Sequence, residues 1–279
     1  MTILITGATG RIGRHLVTRL LDDGHHVRAI TRHPATAKLP ESAEIVRGDL
    51  TDLDSLRDAF AGIEALHLIT FGGDDGADLT NGAEIVSLAH ESNIRCVSVL
   101  AGWGTTSIEE ALRNSSLDWC RVEPVEVMYN TRDWEEEIRT HSTVSTLATY
   151  PSTMVHEADI AAVAAFALTQ DGHTGQSYRV TGPEALAPAE RTAILADVIG
   201  RPIRHIQLTE AQERDRLAAH GFGDDYVEFG IHLATNPPEA ANQVCDTVPR
   251  ITGRPGRTFA QWARENATNW WTRPRHDPA

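Results

Sequence analysis

The chain predicts an α/β fold: a doubly wound parallel sheet with a smaller C-terminal lobe. The first observation behind this is the opening, MTILITGATGRIGRHL. There an apolar strand (Ile3, Leu4, Ile5) runs into Gly7-Ala8-Thr9-Gly10-Arg11-Ile12-Gly13 and then into an amphipathic helix through Leu16, Leu20 and Leu21. The second is the alternation that follows. Strand patterns at 2–6, 26–31, 44–47, 65–70, 95–100 and 118–122 are separated by helical patterns at 11–23, 52–61, 79–92 and 107–115. Strands and helices alternating over short loops imply a parallel sheet covered on both faces. The third is a change of pattern past Tyr129. It sets the expected division at 1–128 for the core and 129–279 for a mixed segment, part of which returns to the core and part of which builds the lobe.

In the opening segment Gly7 permits a tight turn out of the strand. Gly10 lets the backbone approach an anion with no Cβ in the way, and Gly13 lets the helix pack close to the sheet. The N–H groups that begin the helix then face the anion. Behind a strand and opening a helix, this Gly-x-x-Gly-x-x-Gly turn is one that holds a dinucleotide pyrophosphate in a Rossmann-type fold. The second strand, HVRAIT at 26–31, distinguishes the dinucleotides. An acid at its end would take the ribose 2′-hydroxyl of NAD. Thr31 and Arg32 stand there instead, and a guanidinium forks onto a 2′-phosphate. NADP(H) is therefore expected over NAD(H). Lys38, the only lysine of the chain, adds a second positive charge.

Gly48-Asp49-Leu50-Thr51-Asp52 follows the third strand, and Thr51 or Asp52 can cap the next helix. Phe71-Gly72-Gly73-Asp74-Asp75-Gly76 follows the fourth. It is expected to be a mobile acidic loop at the carboxyl edge of the sheet, where ligands bind. Beyond Tyr129, Asn130–His141 reads as helical, with Trp134 and Ile138 on one face. Helices are expected at 157–168 and 188–199, strands at 176–180 and 203–208, and two further helical stretches before 258–271. Trp262, Trp270 and Trp271 read as core or lobe-edge aromatics, and 272–279 as a frayed tail.

The formal net charge is −14 over 279 residues, which repels nucleic acid and anionic lipid. Arg11, Arg14 and Arg32 nonetheless make a local positive site. No run approaches the ~20 apolar residues of a membrane span. Met1 leads directly into the first strand, so no signal peptide is expected and the location is read as cytoplasmic. Cys96, Cys120 and Cys245 lack metal-ligand spacing and are read as buried thiols, with no metal expected.

Taken together, the chain resembles an NmrA-like member of the atypical short-chain dehydrogenase/reductases over nearly its whole length. The resemblance rests on Ile5-Thr6-Gly7-Ala8-Thr9-Gly10-Arg11-Ile12-Gly13, on Arg32 and on Gly48-Asp49-Leu50. Glu110 with Leu117-Asp118-Trp119, Met128 and Asn130, and Asp159-Ile160-Ala161 through Thr181-Gly182-Pro183 add to it. It implies a Rossmann core, a C-terminal substrate lobe and NADP(H) held by Gly7, Thr9, Gly10, Arg11, Ile12, Gly13, Arg32, Asp49, Leu50 and Thr70. The family layout would put Phe71, Trp103, Glu123, Tyr129 and His156 on the nicotinamide side, near a small-molecule substrate between the sheet edge and the lobe. Tyr129 and His156 are then the candidate proton donors. Glu110 is read as a structural helix carboxylate, and Asp159 as a brace of its helix. Members of the family include NADPH-dependent quinone, azo-dye and triphenylmethane reductases, and others that bind NADP as redox-sensing regulators.

The departures bear on mechanism. Orthodox relatives use Tyr-x-x-x-Lys, the lysine preparing the tyrosine to relay a proton. Here Tyr129-Asn130-Thr131-Arg132-Asp133 has aspartate at the lysine position, and Ala101-Gly102 replaces the serine of strand five. Glu123 stands where many relatives have arginine. Hydride transfer to a conjugated acceptor needs chiefly positioning. Three classes remain open: an NADPH-dependent reductase of a quinone-like, aromatic or enone substrate, which the pocket-forming features favour; an NADP(H)-sensing regulator without turnover; and a non-redox lyase, cyclase or hydratase on the same scaffold.

Overall fold

Ile3, Leu4 and Ile5 are all fully buried, so the first strand has no solvent face and belongs to the middle of a sheet. The computed structural model describes residues 1–72, 77–102, 104–221 and 223–270, which form two compact units. The first comprises residues 1–124, 157–180 and 246–254. Its strands are β1 (Thr2–Ile5), β2 (His26–Thr31), β3 (Glu44–Arg47), β4 (Ala65–Ile69), β5 (Cys96–Leu100), β6 (Asp118–Pro124) and β7 (Ser177–Val180). All run parallel in the order β7-β6-β5-β4-β1-β2-β3. The winding reverses beside β1, between β2 and β4. The crevice beyond the carboxyl ends of the strands at such a reversal is where open α/β sheets bind ligands.

The helices of this unit are α1 (Gly13–Asp22), α2 (Leu53–Phe60), α3 (Gly82–Glu91), α4 (Ser107–Arg113), α5 (Glu157–Thr169) and α6 (Thr247–Thr252). Leu4, Leu66 and Val97 share one row of the sheet. With Leu56, Phe60, Ile85 and Leu112 they form the core under α2, α3 and α4. Ile5, His67, Ser98 and Cys120 form the next row and therefore point to the opposite face, the layer of α1, α5 and α6. Ten of the thirteen residues of α5 are buried, because it packs on the strands, on α1 and on α6 at once.

Several boundaries differ from expectation for local reasons. The helix expected from residue 11 begins at Gly13, since the glycine turn occupies the residues before it. The helix expected from 79 begins at Gly82, since Leu79 and Asn81 anchor neighbouring loops. Asp52 occupies the N-cap position of α2 but makes no side-chain cap. Thr51 makes none either, because its N–H and hydroxyl both donate to Asp49 Oδ1, at 2.9 and 2.8 Å. Phe71–Gly72 pairs antiparallel with Ala77–Asp78; residues 73–76 of the expected mobile loop lie outside the described residues. Of the three thiols, Cys120 is buried, while Cys96 and Cys245 are half-buried.

The second unit takes the described residues of 125–156, 181–245 and 255–270. It holds two short parallel ladders, Glu126–Val127 with Met154–Val155 and Thr143–Thr146 with Arg204–Gln207. The helices Glu135–His141, Pro188–Ile199 and Phe259–Glu265 accompany a core of Met128, Ile138, Val144, Leu195 and Trp262. Trp262 stacks on Phe259 with ring centres 5.6 Å apart and meets Trp270 edge-on at 5.9 Å, so both tryptophans are core. Trp271 and the tail lie outside the described residues. A Cβ on Gly182 would stand 2.0 Å from the Met154 carbonyl oxygen, so the Thr181-Gly182-Pro183 turn requires glycine. Helices Glu210–Ala219 and Asp224–Thr235 pair around Leu217, Val227 and Ile231. Among the described residues no helix is long and apolar enough to cross a membrane, and no cluster of three or more His, Cys, Asp or Glu could hold a metal.

Candidate functional site

The turn between β1 and α1 is built by contacts that its glycines alone allow. Gly7 has φ of +61°, in the left-handed region, and its carbonyl accepts from the Gly10 N–H at 2.9 Å. A Cβ on Gly10 would stand 3.0 Å from that same oxygen. One on Gly13 would stand 2.1 Å from it and 2.9 Å from Ala8 Cα. Gly13 therefore serves the closure of the turn itself. Ile12, in the N-cap position of α1, supplies no side-chain cap, and the amides of a first helical turn then suit an anion. Thr9 and Arg11 are exposed. Arg14 folds back on the turn, Nε donating to the Gly10 carbonyl at 3.1 Å and Nη2 to that of Thr9 at 3.2 Å. The expectation that Arg14 joins the positive site is thus qualified: its guanidinium braces the turn.

Thr6 ties the turn to the next strand. Its hydroxyl donates to the His67 carbonyl at 2.9 Å and accepts from the Ile69 N–H at 2.9 Å. Leu50 and Thr70 are both buried. The Leu50 carbonyl accepts from Asn81 Nδ2 at 2.8 Å and the Thr70 carbonyl from the Leu79 N–H at 2.9 Å. The Leu79 carbonyl in turn accepts from the Ser107 hydroxyl. Asn81 and Ser107 thus set two of the expected cofactor residues, and neither is apparent from the sequence.

At the end of β2, Arg32 and Lys38 are exposed. The acid missing from this strand has a counterpart next door, because β3 pairs with β2 and delivers Asp49. Burial pushes the Asp49 carboxyl up, but the Thr51 N–H, the Thr51 hydroxyl and the Arg32 guanidinium outweigh it and hold the carboxyl below its ordinary value.

The residues expected on the acceptor side fall on both units. Phe71 is exposed and Glu123 ends β6. Glu123 Oε2 is 2.6 Å from Arg121 Nη1, an ion pair. Trp103 lies outside the described residues. Ser98 is the serine of β5, but it faces the core, where its Oγ is 2.7 Å from His67 Nδ1. Burial drives His67 down to about 4. The carboxylate expected at Glu110 is exposed; the structural one is its neighbour Glu109, which is fully buried.

Tyr129 and His156 belong to the second unit and leave the same end of one ladder. Val127 pairs with Val155; Tyr129 follows two residues after the first, His156 one after the second. The Tyr129 hydroxyl accepts from Arg132 Nη1 at 3.2 Å. His156 is buried, with Nε2 3.0 Å from Glu265 Oε2. Arg191, from the helix Pro188–Ile199, ties both strands of this ladder. Its Nη1 contacts Glu126 Oε1 at 3.3 Å and Met154 Sδ, and its guanidinium lies over Trp134 at 5.1 Å. An arginine within a helical pattern reads from sequence as solvated, so nothing there signals this role.

Residues 7–107 match the model of a family described as NAD(P)H-binding. The chain is 34% identical over 277 residues to the (4-alkanoyl-5-oxo-2,5-dihydrofuran-3-yl)methyl phosphate reductase of Streptomyces griseus, covering 95% of this chain and 98% of the relative. It is 30% identical over 281 residues to the NAD(P)H azoreductase of Xenophilus azovorans, covering 95% and 98%. Its fold matches an NADPH-dependent quinone oxidoreductase of Escherichia coli, solved with NADPH, at a TM-score of 0.80 and 20% identity, over 94% of this chain and 99% of the other.

Proposed function

The chain belongs to the NmrA-like family of atypical short-chain dehydrogenase/reductases, and from that membership we propose that it is an NADPH-dependent reductase of a small conjugated acceptor, quinone-like, aromatic or an enone. The observation that carries the reading is the turn at Gly7–Gly13, whose closure tolerates no side chain at Gly13 and which fits a dinucleotide pyrophosphate. When bound, NADPH supplies a hydride. The amides that begin α1 would take the pyrophosphate, and Arg32 the 2′-phosphate. Leu50 and Thr70, pinned through Asn81 and Leu79, would line the rest of the nucleotide site.

The acceptor class is supported by the relatives. One is named for an azo substrate. The compound named for the other is a 5-oxo-2,5-dihydrofuran with an alkanoyl group, in which a ring double bond is conjugated to carbonyls. Such acceptors need little acid from the protein. Tyr129 is the proton donor we favour, because its hydroxyl is held by Arg132 at 3.2 Å and a phenol hydroxyl can both accept and donate. His156 is the lesser candidate, being buried and engaged by Glu265.

The deciding experiment is NADPH oxidation against a panel of quinones and enones, followed by transfer of C4 deuterium from labelled NADPH to product. Label in the product is the expected result. Product formed without label or NADPH consumption would move the protein to non-redox chemistry. No turnover over the whole panel, with NADPH still bound tightly, would make it a nucleotide sensor.

A further inference from the structure

After β5, Gly102, Gly104 and Thr106 are held from two directions. Arg121 of β6 donates from Nη2 to the carbonyls of Gly102 and Gly104, both at 3.3 Å. Its Nε donates to Glu109 Oε1 at 2.6 Å, and its Nη1 meets Glu123 Oε2 at 2.6 Å. Glu109, in the first turn of α4, accepts at its other oxygen from the Thr106 N–H at 3.0 Å and the Thr106 hydroxyl at 2.9 Å. One guanidinium with all three nitrogens engaged, and one carboxylate with no solvent exposure, thus reach the loop at 102, 104 and 106.

This network gives Glu123 a structural part beside the pocket role expected of it. Arg121 and Glu123 are two apart on β6 and so share a face of the strand. Paired at 2.6 Å with Arg121, the Glu123 carboxylate secures the guanidinium against the loop. The loop leaves the sheet beside Thr70, since Leu100 pairs with Ile69 on β4. That is the carboxyl edge, next to the winding reversal.

We propose that Arg121 is a positioning residue for the acceptor: with Glu109 and Glu123 it holds Gly102, Gly104 and Thr106 as a fixed wall at the carboxyl edge of the sheet, and the rigidity of that wall sets acceptor affinity. The identity of the acceptor rests on the reductase reading above; the holding of the loop rests on the hydrogen bonds alone.

The test compares wild type, Arg121→Lys, Arg121→Gln and the double variant Arg121→Gln with Glu109→Gln. The double variant leaves no buried unpaired charge and keeps the capping box, since Gln serves in it as Glu does. Hydrogen exchange of the amides of Gly102 and of residues 104–106 is read together with NADPH affinity and with KM and kcat for the best acceptor of the quinone and enone panel. We expect exchange in the loop to rise about tenfold or more in both Gln variants, with the β1–β5 amides unchanged. KM should rise by a similar factor, with kcat and NADPH affinity within about twofold, and Lys should restore part of both effects. Unchanged loop exchange in both Gln variants overturns the proposal. So does raised exchange with KM unmoved. Failure of wild type itself to turn over would sink the reductase reading and the acceptor role together, and is told apart by appearing before any substitution is made.

Discussion

Arg132 donates to the Tyr129 hydroxyl at 3.2 Å, and its guanidinium carbon stands 5.1 Å from the centre of the Tyr129 ring. The pair is three residues apart because Met128–Trp134 is a 3-10 helix, in which side chains at i and i+3 eclipse. Arg132 is itself fixed by Glu135, through Nε at 3.1 Å and Nη2 at 2.8 Å. If Tyr129 gives the proton, Tyr129→Phe should lower kcat by ~10²–10⁴-fold with NADPH affinity unchanged. Steady-state kinetics with a calorimetric Kd check this. A loss of less than about threefold would assign the proton to water.

The glycines of the turn should be unequal. A Cβ on Gly13 meets backbone at 2.1 Å, one on Gly10 meets it at 3.0 Å, and one on Gly102 meets nothing within 4 Å. Gly13→Ala should therefore cost about 1–3 kcal/mol, a fall of several degrees in Tm, and abolish nucleotide binding. Gly10→Ala should be milder in stability, and Gly102→Ala neutral. Thermal unfolding of the three side by side tests the order; a Gly13 variant as stable as the Gly102 variant would contradict it.

Arg32→Ala should weaken NADPH by roughly 10–100-fold, the worth of a charge-assisted bond of ~1.5–3 kcal/mol, and leave NADH nearly unchanged. It should also remove the positive charge beside Asp49. Titration calorimetry with both nucleotides is the measurement. Equal loss for both would mean that Arg32 does not meet the 2′-phosphate.

Acid should destabilise the first unit through His67. Burial holds this imidazole at about 4 in the folded chain, against about 6.5 when unfolded. The unfolded chain therefore binds the proton first, so the stabilisation is complete above pH ~6.5 and is lost as pH falls toward 4. Its size is about 3 kcal/mol, from 2.303RT times the shift. Denaturant unfolding at pH 7 and pH 4.5 should show the loss, and His67→Gln should flatten the dependence across that window. An unchanged slope in the variant would place the titration elsewhere.

The alternation of strands and helices was legible because each strand of the sheet is a short apolar run between turn residues, and β1 to β6 fall within two residues of where those runs suggest. Contacts between segments were not. Asp49 reaches Arg32 through a strand pairing that no local pattern encodes. The Tyr-x-x-x-Lys pattern directs attention to Asp133, four positions after Tyr129, whereas the 3-10 turn brings in Arg132, three positions on. Glu109 and Glu110 are adjacent and chemically alike. A helix turns ~100° per residue, and that rotation alone decides that one is buried beside Arg121 while the other faces water.

The two units share one chain in three stretches each, and this limits how such a protein can change. Residues 1–128 expressed alone would lack β7, leaving β6 as an open edge, and would lack α5 with its ten buried side chains. The second unit likewise has no single continuous gene segment. Neither half can be exchanged as a cassette by one recombination event, so change in either unit falls to point substitution or to insertion at loops.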